Sequence, residues 1–420
     1  MNNCIARVTY QKLTLALLVF FPQKGLISLV VWSLFDLDVS AYTGIVYLLV
    51  TGAFLFLTLL CSGIPVKNKQ AMLFIIMTFI GVNFSILKMD TPFFSYVILL
   101  FALPIVLSWV KDVDDQFIIH LLEIFFKVTV VFILIELLVV QFNLFGDISR
   151  DELIKYQSIF TSRKDWDGLH LIYDGIDSYV YRTGGYLGNV LAMPPLVLFS
   201  FAYFYIHYNI ERRATSFIWM ILGIISLFAT TSATVILSGL ITVLFYEIII
   251  KRKYYYIIIF LLCIFLMYLS VSEVAYTVNR FLENMVNPDY LKSFIGFTSS
   301  FPDMTILFIF GGWQSSLDGI PSHVEFVNVL FMFGMYPAFV LMKRWYRAIM
   351  FGLKVNYLYP AHIFSVMLLA LSISFVHHSM GLTIYSMIIA TIILLRIEYT
   401  WKAQKLLNKK VELVTGKSMQ

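Results

Sequence analysis

Long apolar runs recur along this chain, separated by polar breaks. Crossing the roughly 30 Å of bilayer hydrocarbon takes about 20 helical residues, and most runs are near that length. The pattern predicts about twelve membrane helices, at 13–35, 41–61, 71–87, 93–110, 117–145, 186–208, 215–231, 235–250, 254–272, 324–342, 359–376 and 381–396. Pro22-Gln23-Lys24 falls inside the first run and predicts a kink or a split into two shorter pieces. Only Ser232-Ala233-Thr234 separates the seventh and eighth runs. Two breaks are long instead, 146–185 and 273–322, where a chain that only had to turn back would use a few residues. The expected fold is all-α, a polytopic integral membrane protein with one transmembrane domain over 1–420.

Composition agrees. Hydrophobic residues make up 60% of the chain and charged residues 13%, where a soluble domain carries roughly 25% charged. A soluble protein would lack polar material for its surface. The net charge of +5 needs no nucleic-acid partner, since Lys and Arg gathered at cytoplasmic helix ends produce it. Cys4, Cys61 and Cys263 have no paired spacing and no companion histidines, and read as reduced thiols. Arg7 and Lys12 precede the first run and no small-residue cleavage site closes it, so it reads as a retained span.

Charge sets the orientation. With the N-terminus inside, twenty Lys and Arg fall in the inner connections and tail. Eight fall outside: Lys88, Arg150, Lys155, Arg163, Lys164, Arg182, Arg280 and Lys292. Lys24 and Lys127 lie within spans. This bias predicts cytoplasmic termini, a basic cytoplasmic helix over 397–420, and both long loops on the outer face.

The loops hold the residues suited to chemistry. The first mixes Trp166, Tyr173, Tyr179 and Tyr181 with Asp165, Asp167, Asp174 and Asp177. Flat rings beside carboxylates suit a sugar, and the same rings serve as anchors at a membrane surface. Arg182 opens the stretch Arg182-Thr183-Gly184-Gly185-Tyr186-Leu187-Gly188-Asn189. An outer arginine runs against the positive-inside bias. It is either snorkelling to lipid phosphate or presenting its fork to a pyrophosphate, beside glycines that admit close approach and helix-start amides that favour an anion. Arg280 has Gly296 after it, with fifteen residues between. His323 begins the tenth span, followed by Glu325 and Asn328. It is either an interfacial side chain or a base able to take a proton near neutral pH. His377-His378 reads as an ordinary outer turn. Glu136 lies deep in the fifth span, nearly alone at that depth, which gives little support to a proton-coupled carrier.

No phosphate-binding loop, dinucleotide fingerprint, HExxH or GxSxG occurs. Neither a metal site nor a cofactor is expected. Transfer chemistry would use a substrate already activated and already outside.

The twelve spans, the two outer loops, the Arg182-Thr183-Gly184-Gly185 mouth, the Arg280…Gly296 spacing and the histidine ahead of Gly334 resemble the O-antigen polymerase and ligase superfamily. The chain departs from that pattern in two places. No arginine of the first loop has a glycine at the same offset, and Thr230-Thr231-Ser232-Ala233 lacks the arginine that often ends a middle span. The resemblance implies a fold similar to membrane glycosyltransferases with lipid-linked donors (GT-C-like), in the bacterial inner membrane with its loops in the periplasm. It implies undecaprenyl-pyrophosphate-linked oligosaccharide as substrate, and leaves room for a chain-length regulator and a flippase as partners beside membrane lipid. The roles it suggests are leaving-group stabilisation by Arg182 and Arg280 and proton removal by His323. Tyr181, Gly184, Gly185, Asn189, Trp166, Asp177 and Glu325 would bind substrate. A polymerase is favoured. The alternatives are a ligase moving polymer to lipid A-core and, in another class, a lipid-linked-sugar flippase or other carrier.

Overall fold

The computed structural model describes residues 2–35, 40–62, 103–141, 171–173, 179–181, 184–187, 192–230, 232–255, 258, 262, 279, 335–355, 360–374 and 384–415. These residues are helical apart from one small β-hairpin, loops and turns. Among the described residues, three helical stretches are long and apolar enough to cross a membrane, Arg7–Phe35, Tyr42–Ser62 and Asp115–Val139. The second has a mean hydropathy of 2.3 with only 11% of its window buried in protein. Ile45, Leu49, Phe56 and Leu60 all point outward. A face so apolar and so exposed requires lipid around it. The chain is a membrane-embedded helical protein.

The first predicted run breaks where proline stands. Helix α1 (Asn2–Phe20) passes through a 3-10 turn, Phe21–Gln23, into α2 (Lys24–Phe35). Pro22 lacks the amide that a continuous helix would need there. Helix α3 (Ser40–Ser62) lies along α1. Polar bonds join the pair: Thr14 to Thr58 at 2.6 Å, Gln11 to Ser62 at 2.9 Å, and Tyr47 to the Leu17 carbonyl at 2.9 Å. Helices surrounded by lipid have no hydrophobic drive toward each other, so such bonds and close packing hold them together.

Helix α4 (Asp115–Glu136), ending in a π-turn at Leu137–Gln141, packs against the central helix α5 (Met193–Glu211). Every residue of α5 from Met193 to Ile206 is buried, as expected of a helix apolar on all sides. Pro194 and Pro195 occupy its first turn, where a missing amide does no harm. Arg212, in the left-handed region at φ 56°, caps it through its amide to the Tyr208 carbonyl at 2.9 Å. The two helices run antiparallel. Phe126 meets Tyr203 with ring centres 5.4 Å apart, and Glu136 meets Gly185, just ahead of α5. Around them stand α6 (Ala214–Ala229), α7 (Ala233–Phe245, continuing as a π-turn Tyr246–Ile250), α8 (Met335–Lys354), α9 (Pro360–Ser374) and α10 (Ile384–Thr415).

Basic residues collect at one end. Arg7 pairs with Asp112 at 2.7 Å. The buried Arg396 donates to the carbonyls of Val110, Lys111 and Val113 and through Nε to Asp115 at 2.7 Å. Lys251 donates to Glu247 at 2.7 Å and to Asn209, and Tyr205 shares the same carboxylate. Burial pulls the Lys251 ammonium below its usual value, against the upward pull of Glu247. Nearby, His362 Nδ1 donates to the Gly352 carbonyl at 3.1 Å, which leaves Nε2 to accept from the Tyr246 hydroxyl at 3.1 Å. Gly352 lets α8 and α9 touch, since a Cβ there would lie 1.6 Å from Ser365 Oγ.

Helices α5, α8 and α10 differ from the sequence expectation. Helix α5 starts at Met193 instead of 186, because 185–187 forms a separate 3-10 turn. Helix α8 continues through Lys343, Arg344 and Arg347, predicted as loop. Helix α10 runs unbroken through the apolar span and most of the tail, since no Gly or Pro stands between Arg396 and Thr415. The span expected at 71–87, most of those at 93–110, 254–272 and 324–342, and nearly all of the 273–322 loop lie outside the described residues.

Candidate functional site

The mouth expected at 182–185 begins with a hairpin. Leu171–Tyr173 pairs antiparallel with Tyr179–Tyr181, with Leu171 opposite Tyr181 and Tyr173 opposite Tyr179. The strand alternation of Tyr179-Val180-Tyr181 suits such a ribbon. Among the described residues it is the one strand pairing in an otherwise all-α expectation. Its second strand ends at Tyr181, three residues before Gly184.

Gly184 and Gly185 are anchored. Glu136, the last residue of α4 and 2% exposed, accepts the Gly185 amide on Oε2 at 2.8 Å and the Gly184 amide on Oε1 at 3.3 Å. Bonds from backbone amides to an ionised carboxylate are among the stronger ones available. Gly185 adopts φ +55°, and a Cβ there would meet the Met193 side chain at 2.9 Å. Both the positive φ and the close approach to α5 call for glycine. Glu136 is thus not an isolated carboxylate at depth, as the sequence suggests, but the fixed point of the segment just ahead of α5.

The next residue extends the anchor. Tyr186 is buried and lies edge-on to Phe132, with ring centres 5.8 Å apart. Its hydroxyl lies 2.8 Å from Thr129 Oγ. Thr129 gives its own proton to the Phe125 carbonyl at 2.9 Å, so Tyr186 is the donor to Thr129. The same Phe125 carbonyl accepts from Gln23 at 3.0 Å. Gln23 stands at the Pro22 break, which turns its amide inward toward α4. A proline break in one helix, two polar residues of another and a diglycine loop form one hydrogen-bonded unit.

No protein-family model, curated protein or solved structure matches this chain.

Of the residues singled out in the sequence, Gly184 and Gly185 are brought onto Glu136, and Tyr181 lies on the adjoining strand. Arg182, Arg280, His323, Asn189, Trp166, Asp177 and Glu325 lie outside the described residues. Gln23, Thr129 and Tyr186 carry the anchor without having been singled out. Their signal was a polar atom placed in an apolar run, which must find a partner within the protein. Among the described residues, no three His, Cys, Asp or Glu side chains gather as a bound metal would require.

Proposed function

We propose that this chain is a surface-polysaccharide polymerase of the O-antigen kind, joining undecaprenyl-pyrophosphate-linked repeat units at the periplasmic face of the bacterial inner membrane. In this reading about twelve helices cross the membrane. Both termini are cytoplasmic and the loops 146–185 and 273–322 form two jaws of a periplasmic site. The observation that carries the reading is the Glu136–Gly184–Gly185 anchor. It fixes backbone two residues from Arg182, at the end of the α4–α5 pair opposite the gathered basic residues Arg7, Lys251 and Arg396.

The chemistry follows from charge. As the glycosidic bond of the donor breaks, negative charge grows on the pyrophosphate leaving group. Arg182 and Arg280 would stabilise it in a poorly screened site at the membrane edge, where preorganised cations are most effective. His323 would take the proton of the acceptor hydroxyl as that oxygen attacks the anomeric carbon. Tyr181, Trp166, Asp177, Asn189 and Glu325 would hold the sugars of the two chains, with no cofactor required.

The ligase would use the same donor and differ only in acceptor. A carrier would need charged side chains lining a passage. Instead the buried carboxylates Glu136 and Glu247 are held by backbone amides and by Lys251 with Tyr205. The test is Arg182→Ala, Arg280→Ala and His323→Ala, each expressed in a strain lacking the native gene. Each should abolish chain growth while the protein still reaches the membrane. Wild-type chain lengths in all three would remove the site.

A further inference from the structure

A second site lies where α8 crosses α10. A cavity of about 590 Å³ opens there, between Phe339 and Lys343 on one helix and Glu398 and Trp401 on the other. Its depth relative to the membrane can be read from α10. The buried apolar residues of that helix end at Ile397, and Tyr399 and Trp401 follow, then the exposed Lys402 and Lys405. Such an order of apolar, aromatic and basic residues marks the level of the lipid headgroups. Helix α8 changes character at the same level, from exposed Tyr336 and Phe339 to Lys343 and Arg347. The Arg344–Glu398 pair, with Nη2 to Oε2 at 2.8 Å, holds the two helices in that register.

The charges in the cavity do not balance. Arg344 is occupied by Glu398 through both its Nε and its Nη2. Lys343 and Arg347, one turn apart on the same face, have no carboxylate partner among the described residues. Lys343 lies over the Phe339 ring at 5.7 Å. Like charges at this spacing repel within a helix, and an anion between them turns that repulsion into attraction. Arginine and lysine both suit phosphate oxygens. The exposed apolar rings of Tyr336 and Phe339 border the cavity where acyl chains would begin.

We propose that this cavity binds the headgroup phosphate of an anionic phospholipid, held by Lys343 and Arg347 with Trp401 at its wall. The site is separate from the Glu136 anchor, and the proposal does not depend on the polymerase reading.

The test titrates the full-length chain, purified in neutral detergent, with short-chain phosphatidylglycerol, short-chain phosphatidylcholine or inorganic phosphate, and follows bound ligand by native mass spectrometry. Phosphatidylglycerol should bind at least tenfold more tightly than either of the others. Each basic residue near an anionic surface contributes about fivefold, so Lys343→Gln with Arg347→Gln should weaken phosphatidylglycerol about 25-fold. Lys402→Gln with Lys405→Gln removes the same charge outside the cavity and should change affinity less than twofold. Four results would overturn the proposal: equal binding of phosphatidylcholine, inorganic phosphate binding as well as the lipid, an unchanged Lys343/Arg347 variant, or equal losses in both double variants.

Discussion

Glu136 Oε2 lies 2.8 Å from the Gly185 amide, so a carboxylate buried at the end of one membrane helix holds the segment that leads into the next. In lipid a charge is retained at depth only with a partner, and here backbone amides are among its partners. Glu136→Gln keeps the shape but turns an amide NH2 toward one of the two glycine N–H groups. A stranded buried donor costs about 1–3 kcal/mol. The variant should reach the membrane in normal amount, melt at a lower temperature in detergent and, under the proposed polymerase function, lose most polymer. A normal ladder with normal melting would show that the anchor is dispensable.

Gly185→Ala tests the backbone. The left-handed conformation costs an L-residue about 1–2 kcal/mol, and the new methyl would press on Met193 at 2.9 Å. Thermal unfolding should show a loss of that order or somewhat more. Gly52→Ala in mid-helix is the matched control, because a Cβ there meets nothing within 4 Å, and it should hold or slightly raise the melting temperature.

Thr129→Val removes the acceptor of the Tyr186 hydroxyl and the donor to the Phe125 carbonyl at nearly constant volume. A net loss of about 1–3 kcal/mol is expected for stranding a buried hydroxyl. Adding Tyr186→Phe removes that hydroxyl as well and should recover part of the loss. Additive losses in the double variant would contradict the Tyr186–Thr129 bond.

At the other end, Gly352→Ala places a methyl against Ser365 Oγ and the Ala361 carbonyl. Overpacking of this kind typically costs about 1–3 kcal/mol. It would also move the Gly352 carbonyl away from His362. Gly352→Ala with Ser365→Ala should recover part of the stability, and no recovery would place the strain elsewhere.

How far the sequence reaches depends on the kind of feature. The proline break is legible because Pro22 cannot donate within a helix, and α3 matches its predicted run to within a residue at each end because no charged residue interrupts it. The start of α5 is misjudged for a physical reason. Hydropathy reports burial, and the 3-10 turn Gly185–Leu187 is as buried as a span without being part of one. The adjacent Pro194-Pro195 is the better marker of where that helix begins. Glu136 is visible as an oddity, yet it holds amide groups of glycines, and a backbone partner leaves no side-chain signature. The hairpin is missed because its strands are only three residues each.

The most direct measurement is the lipopolysaccharide ladder of a strain from which the gene is deleted, compared with the same strain carrying the intact gene. Loss of a polymerase predicts core bearing a single repeat unit, with the full ladder restored by the intact gene. Bare core would point to the ligase instead, and an unchanged ladder would contradict the assignment altogether.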